Sequence, residues 1–349
     1  AIRLNDMFWP MVEMSWGIGS ILVFLLGVSL LDTNEITVGL LVAFTSYIGM
    51  FWAPIMNLSN FYNQLITNIT GAERIFEILD IEPDIKDESE AVMMPPIKGD
   101  VRFNKVTFSY DDKVEVLKDL SFHVKEGETI ALVGPTGAGK TTIVNLISRF
   151  YDINEGVVMI DGHNVASVSI ESLRSQMGIM TQDTFLFSGT IMDNIRYGKL
   201  DATDEEVIEA AKAVHAHEFI MSFEEGYKTK ISERGSKLSV GQRQLIAFAR
   251  TMVSKPRILI LDEATSSIDT TTERLVQQGI ETLLKGRTSF VIAHRLSTIQ
   301  KATRIMVIDQ QGITEAGSHE ELLKRKGHYY DLYMAQFKTA DALVGQGAS

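Results

Sequence analysis

An α/β domain with an antiparallel β portion at its start, preceded by two transmembrane helices, is the fold class this sequence predicts. Three observations predict it. Two long apolar stretches open the chain, short β-branched runs alternate with helical patterns from Gly99 onward, and one of those runs leads into a glycine-rich loop ending in Lys-Thr.

The apolar stretches come first. Met7 to Leu31 carries one charge, Glu13, over 25 residues. As a helix it extends about 37 Å, enough to cross a hydrocarbon core of about 30 Å with some tilt. Asp32-Thr-Asn-Glu35 is a short polar turn, and Ile36 to Ile66 has no charge at all. The tail of that second stretch turns polar (Asn57, Ser59, Asn60, Asn63, Gln64, Asn68) without losing helical character, so it is expected to leave the bilayer and continue toward Arg74. Trp9, Trp16 and Trp52 suit membrane interfaces. Buried helices of a soluble core are the alternative, which runs of this length disfavour. Lys and Arg are absent from Leu4 to Glu73, while Arg3 and Arg74 flank the hairpin. Cationic flanks stay cytosolic, which places the turn outside and both hairpin ends inside. Glu13, ionisable among apolar residues, is a candidate pathway group favouring cationic or amphipathic cargo, or else snorkels to the interface.

A net charge of −12 argues against a nucleic-acid partner, which needs a basic face. The absence of cysteine excludes disulfides and thiolate metal sites. The chain opens on Ala1 with no basic leader, so it is expected to be the later part of a longer protein.

Residues 81–98 are acidic, hold three prolines and show no period, so they read as a linker. A domain from 99 to 338 is expected beyond it, then a small polar, disordered tail, 339–349. Val101–Phe103 and Val106–Phe108 alternate as antiparallel strands do. Thr129–Val133, Arg257–Leu261, Ser289–Ile292 and Arg304–Ile308 are near-continuous apolar runs, the pattern of strands buried on both faces.

Gly134-Pro135-Thr136-Gly137-Ala138-Gly139-Lys140-Thr141 follows the first of these runs and precedes a helical stretch, Thr142–Arg149. That strand–loop–helix context makes it a phosphate-binding P-loop. Its backbone N–H groups turn inward around a phosphate, Lys140 reaches the β- and γ-phosphates, and the Thr141 hydroxyl ligates Mg2+. Ile258 to Leu261 runs into Asp262 and Glu263. Carboxylates at the end of a buried strand are costly unless they face a metal or a cation. Asp262 fits the acid that holds Mg2+ through water, and Glu263 the residue that orients the attacking water.

Between these elements stands Leu238-Ser239-Val240-Gly241-Gln242, followed by a helical stretch, Arg243–Val253. With it, residues 1–338 resemble the ATP-binding cassette (ABC) family, specifically exporters whose membrane and ATPase parts share one chain. The resemblance implies a P-loop NTPase fold with an antiparallel β subdomain and a helical subdomain. It also implies ATP hydrolysis coupled to export, with ATP and Mg2+ bound. The setting is the cell membrane, with the ATP-binding domain in the cytoplasm, the lipid bilayer around the helices, and a second half-transporter chain as partner. Tyr110 resembles the aromatic that stacks on adenine, with a surface tyrosine as the bland reading. Gln182 resembles the glutamine that touches Mg2+ and the attacking water, and His294 the γ-phosphate sensor. With Glu263 and Lys140 these form the catalytic set, and Thr142 completes the phosphate-loop set. Glu233-Arg-Gly235 resembles a loop meeting the partner's membrane loops, and Ser266–Asp269 a dimer-contacting loop. Two such domains would pair head to tail, each ATP lying between one Lys140 loop and the other chain's Ser239, Gly241 and Gln242.

Two departures stand out. Val240 occupies a position where the family usually has glycine, which is costly only if the backbone there needs positive φ. Exporters of this type have six membrane helices per half, and residues 7–31 and 36–66 resemble the last two. Other readings are a soluble cassette ATPase of the DNA-repair or translation type, and a fragment or regulatory half-site that binds ATP without transport by itself.

Overall fold

The computed structural model describes residues 2–33, 35–111, 114–181, 184–232, 235, 238–262, 270–293 and 296–336. The expected tail at 339–349 lies outside the described residues. The chain divides into two compact units, Ala1–Pro83 and Asp84–Ser349.

The first unit is a helical hairpin, Ile2–Asp32 and Val38–Leu79. Both helices are long and apolar enough to cross a membrane, with candidate spans at Pro10–Asp32 and Val38–Leu79. Within their apolar stretches the side chains turned outward are apolar: Leu25, Met50 and Phe51 are all at least 64% exposed. A helix apolar all round is stable only in an apolar solvent. The second helix is 42 residues long, about 63 Å, so it exceeds any bilayer core, as its polar tail predicts. Thr37 caps it by accepting from the Leu40 amide at 3.3 Å. At Gly27 the two helices come so close that a Cβ would stand 2.3 Å from Leu41 Cδ1.

The second unit is built on a six-stranded sheet. Its order is Gly312–Gly317, Arg304–Asp309, Thr129–Val133, Thr288–Ile292, Ile258–Asp262, Met177–Met180. All pairings are parallel except the one between Gly312–Gly317 and Arg304–Asp309. The apolar runs are now explained residue by residue. Ala131, Val133, Leu259, Leu261, Val291, Ile305 and Val307 enter one core. Their neighbours Ile130, Leu132, Ile258, Ile260, Phe290, Ile292, Met306 and Ile308 enter the other. Alternate side chains point to opposite faces, and here both faces are buried. The second core also packs a four-stranded antiparallel sheet, ordered Glu115–Val124, Val101–Ser109, Glu155–Ile160, His163–Asn164. The first core packs a helical part that includes Asp204–Ala213 and Val240–Val253.

The segment read as a linker is different in the structure. The Val92 amide donates to Ser167 O at 3.1 Å and the Ser169 amide to Val92 O at 2.9 Å. Met94 N donates to Ser172 Oγ and Ile97 N to Gln176 Oε1, both at 2.8 Å. Asp161 accepts from the amides of Lys98, Gly99 and Asp100. Met94 and Ile97 are buried. Further back, Arg149 donates to Lys86 O and Ile170 N to Asp87 Oδ1. Most of these bonds run from backbone to side chain, so they leave no periodic signature in the sequence. Residues 86–98 are a strap bonded into the second unit.

Candidate functional site

Parallel strands leave a sheet on one edge, and that edge is where α/β folds bind ligands. Here Thr129–Val133 runs directly into Gly134, and Ile258–Asp262 directly into Glu263. Thr288–Ile292 ends two residues before His294, and Met177–Met180 two residues before Gln182. The four strands are consecutive neighbours, spanning about 14 Å at normal strand spacing. Glu263, His294 and Gln182 themselves lie outside the described residues, as do Glu233, Arg234 and the Ser266–Asp269 loop.

The loop after Val133 requires glycine for two distinct reasons. Gly134 has φ +151°, and a Cβ there would stand 2.1 Å from Ile308 O. Gly139 has φ +100° and precedes the helix Lys140–Ile147 as its N-cap with no side-chain cap bond. The Ala138 amide donates to Pro135 O at 3.2 Å, whereas the amides of the first helical turn, with no side-chain cap, face an incoming anion. Lys140 Nζ donates to Gly134 O and Pro135 O, both at 2.8 Å, folding its side chain across the loop. Burial lowers the Lys140 pKa, and the Asp262 carboxylate nearby opposes that shift. Thr136, Gly137 and Thr141 are exposed and Ala138 is half-buried. Thr142 is buried, and its hydroxyl shares a 3.0 Å hydrogen bond with Tyr110 OH.

Thr141 and Asp262 supply hard oxygen donors, the kind that suits Mg2+. No cluster of three His, Cys, Asp or Glu exists among the described residues.

The Leu238–Gln242 motif forms the start of the helix Val240–Val253. Ser239 is its N-cap: Oγ accepts from Gln242 N at 3.2 Å, and Ser239 N donates to Gln242 Oε1 at 3.0 Å. As acceptor in the cap, the Ser239 hydroxyl keeps its proton to donate elsewhere. No acidic residue lies in the first turn, so the positive end of this 14-residue helix is not neutralised by its own side chains. Ser239 is exposed and Gly241 buried. Val240 is the first helical residue and is not among those with positive φ. The departure from glycine therefore carries no backbone strain.

Phosphate loop, acid-ended strand and capped motif helix sit in one α/β unit, and the ABC transporter family matches residues 117–266. This chain carries an ABC transporter domain. An ABC transporter ATP-binding protein of Bacillus subtilis (strain 168), YknV, is 52% identical over 97% of this chain and 56% of that protein. An ATP-dependent lipid A-core flippase of Syntrophus aciditrophicus (strain SB) is 45% identical, again over 97% of this chain and 56% of its own length. A solved structure of a bacterial Atm1-family ABC exporter with ATP bound superposes with TM-score 0.73 at 38% identity, covering 96% of this chain and 58% of that one. The chain thus spans a little over half the length of the relatives it matches.

Sequence reasoning passed over two residues beside the ABC phosphate loop. Arg149 is 2% exposed and Tyr151 stacks edge-to-face with Tyr110, yet both sit in an irregular stretch after the Lys140–Ile147 helix. The only sequence signal was an Arg-Phe-Tyr-Asp run four charge-and-ring residues long, too short to carry a period.

Proposed function

We propose that this chain is part of an exporter that binds and hydrolyses ATP between two head-to-tail cassettes, and that the cycle moves an amphiphilic, lipid-like cargo across the membrane. The carrying observation is the shared carboxyl edge, where Lys140 and Asp262 lie within electrostatic reach of each other and beyond which the sequence runs on from the neighbouring strands into Glu263, His294 and Gln182. The exposed, capped Ser239 end supports a composite site, because its hydroxyl and helix dipole suit a phosphate brought by a second cassette.

In this reading Lys140 gives up its two carbonyl partners for the β- and γ-phosphates. Glu263 orients and polarises the attacking water, and His294 and Gln182 complete the γ-phosphate shell. Mg2+, held with the nucleotide by Thr141, Asp262 and Gln182, would neutralise charge developing on the γ-phosphoryl group. ATP favours the closed pair of cassettes and hydrolysis favours its opening, so the drive is differential affinity for two states.

The cargo class rests on the lipid A-core flippase and on two helices whose exposed surfaces are apolar. Glu13, exposed on the first helix, is the candidate cargo contact within it. The test is the full-length protein reconstituted in lipid vesicles. ATP turnover should fall at least about 100-fold in Glu263→Gln and in Lys140→Ala, and translocation of a fluorescent lipid should fall with it. Turnover unchanged in Glu263→Gln would remove the hydrolytic assignment. Turnover without lipid movement would remove the cargo.

A further inference from the structure

Tyr110 lies just past the strand Val101–Ser109, where a side chain on a chain end has two free torsions. Three contacts remove that freedom. Its hydroxyl is bonded to Thr142 Oγ1 at 3.0 Å. The Phe108 ring stands at 85° to it with centroids 4.9 Å apart. The Tyr151 ring stands at 88°, also at 4.9 Å. Phe108 is 2% exposed and belongs to the core, whereas Tyr151 is 42% exposed and fills no core position. The Tyr151 ring also stands 5.7 Å from that of Phe108, so the three rings form one cluster in which Tyr110 meets both of the others at nearly a right angle.

The backbone around Tyr151 is held in place for this contact. Arg149 takes φ +51° and reverses the chain after the phosphate-loop helix, and Phe150 N donates back to Asn145 O at 2.8 Å. Three residues past Tyr151, Asn154 Oδ1 accepts from Ser109 N at 2.8 Å and Asn154 N donates to Thr107 O at 3.1 Å. The segment is thereby stitched at one end to the phosphate-loop helix and at the other to the strand that carries Tyr110.

We propose that Tyr151 is a positioning residue for the nucleotide base: it holds the Tyr110 ring, already pinned to Thr142, with one face open for stacking. The proposal rests on the reading of Tyr110 as the adenine platform. Tyr110 remains 50% exposed, as an open ring face requires. An aromatic ring fixed before binding loses less freedom when a base stacks on it, so affinity rises without any contact between Tyr151 and the nucleotide. Because Thr142 and Tyr151 both belong to the phosphate-loop helix and its exit, base platform and phosphate loop form one rigid receptor.

The experiment measures dissociation constants for Mg2+-ATP and for inorganic triphosphate on the full-length protein in lipid nanodiscs. The variants are Tyr151→Leu, Tyr151→Phe, Tyr110→Leu and the double variant with both leucines. Tyr151→Leu should weaken ATP about 3- to 10-fold, the worth of an edge-to-face pair, while triphosphate changes less than about 2-fold. Tyr151→Phe keeps the ring and should restore ATP binding. In the Tyr110→Leu background, Tyr151→Leu should add nothing further. Equal weakening of ATP and triphosphate by Tyr151→Leu would make Tyr151 a support of the loop and overturn the proposal. A selective ATP loss in Tyr110→Leu with none in Tyr151→Leu would overturn it while leaving the platform intact. If Tyr110→Leu spares ATP relative to triphosphate, the platform reading fails and the proposal with it.

Discussion

Arg149 donates from one guanidinium nitrogen to the carbonyl of Lys86 at 3.1 Å and from another to that of Val168, also at 3.1 Å. Its Nε donates to Asp152 Oδ1 at 3.0 Å. One buried side chain thus ties the strap to the turn after the phosphate-loop helix. Removing it takes the partner from the carbonyls of Lys86 and Val168 and from the half-exposed Asp152 carboxylate. Arg149→Met should destabilise the protein by about 2–4 kcal/mol, and Arg149→Lys should do nearly as badly because an ammonium cannot fork. Urea unfolding measures the loss, and proteolysis within 86–98 should accelerate in parallel.

Gly134 and Gly137 separate two ways in which alanine fails. At Gly134 a Cβ meets Ile308 O at 2.1 Å and the φ of +151° is left to glycine. At Gly137 the φ is +82° but no atom lies within 4 Å. Gly137→Ala should cost about 1–2 kcal/mol of backbone strain alone. Gly134→Ala should cost several kcal/mol and displace the loop from the sheet. Thermal melts of the empty protein rank the two, and equal losses would contradict the contact with Ile308.

Lys140 has a pKa lowered chiefly by burial in the empty protein. A triphosphate facing it restores the charged form, so binding takes up a proton. Affinity should be flat below the lowered value, where Lys140 is already charged. It should fall as pH rises through that value, by about tenfold per pH unit at most. Calorimetry at alkaline pH in two buffers of different ionisation enthalpy reads the uptake directly. Lys140→Arg, which stays charged, should abolish it.

Ser239 serves both as helix cap and as proposed phosphate donor, and one substitution divides the roles. Asp caps as well as Ser, so Ser239→Asp should keep the stability within about 0.5 kcal/mol of the parent, while its charge opposes the γ-phosphate. ATP-driven pairing of cassettes should then fail in a stable protein. Val240→Gly, the residue more usual at that position, should lower helix stability by about 0.5–1 kcal/mol and leave turnover unimproved. Faster turnover in Val240→Gly would mean that the valine is a functional brake.

What the sequence made legible followed from periodicity and from loops of fixed spacing. The two-faced burial of Thr129–Val133 and Ile258–Asp262 shows as unbroken apolar runs, and Gly134 to Thr141 shows as a motif because every position in it has a backbone task. The strap from 86 to 98 was misread as a linker because Ser172, Gln176 and Asp161 hold it from positions 63 or more residues away in the sequence. Tyr151 was missed for a related reason: its partner Tyr110 lies across a strand–helix junction that no local pattern encodes. Arg149 resembles a surface cation in sequence, and only its three-way bonding reveals why it is 2% exposed.

The common direction of the parallel strands gives the domain a working end and a quiet end. The phosphate loop and Asp262 leave from the carboxyl termini, whereas the turn at Gly286 enters the strand Thr288–Ile292 from the opposite side, exposed, with φ +72° and nothing within 4 Å of where a side chain would begin. A fluorophore attached through a cysteine at the neighbouring exposed Lys285 would be the sole thiol label on this cysteine-free chain. Distances between such probes on paired copies would then report the opening and closing of the cassettes in real time, from a place where the reporter cannot touch what it watches.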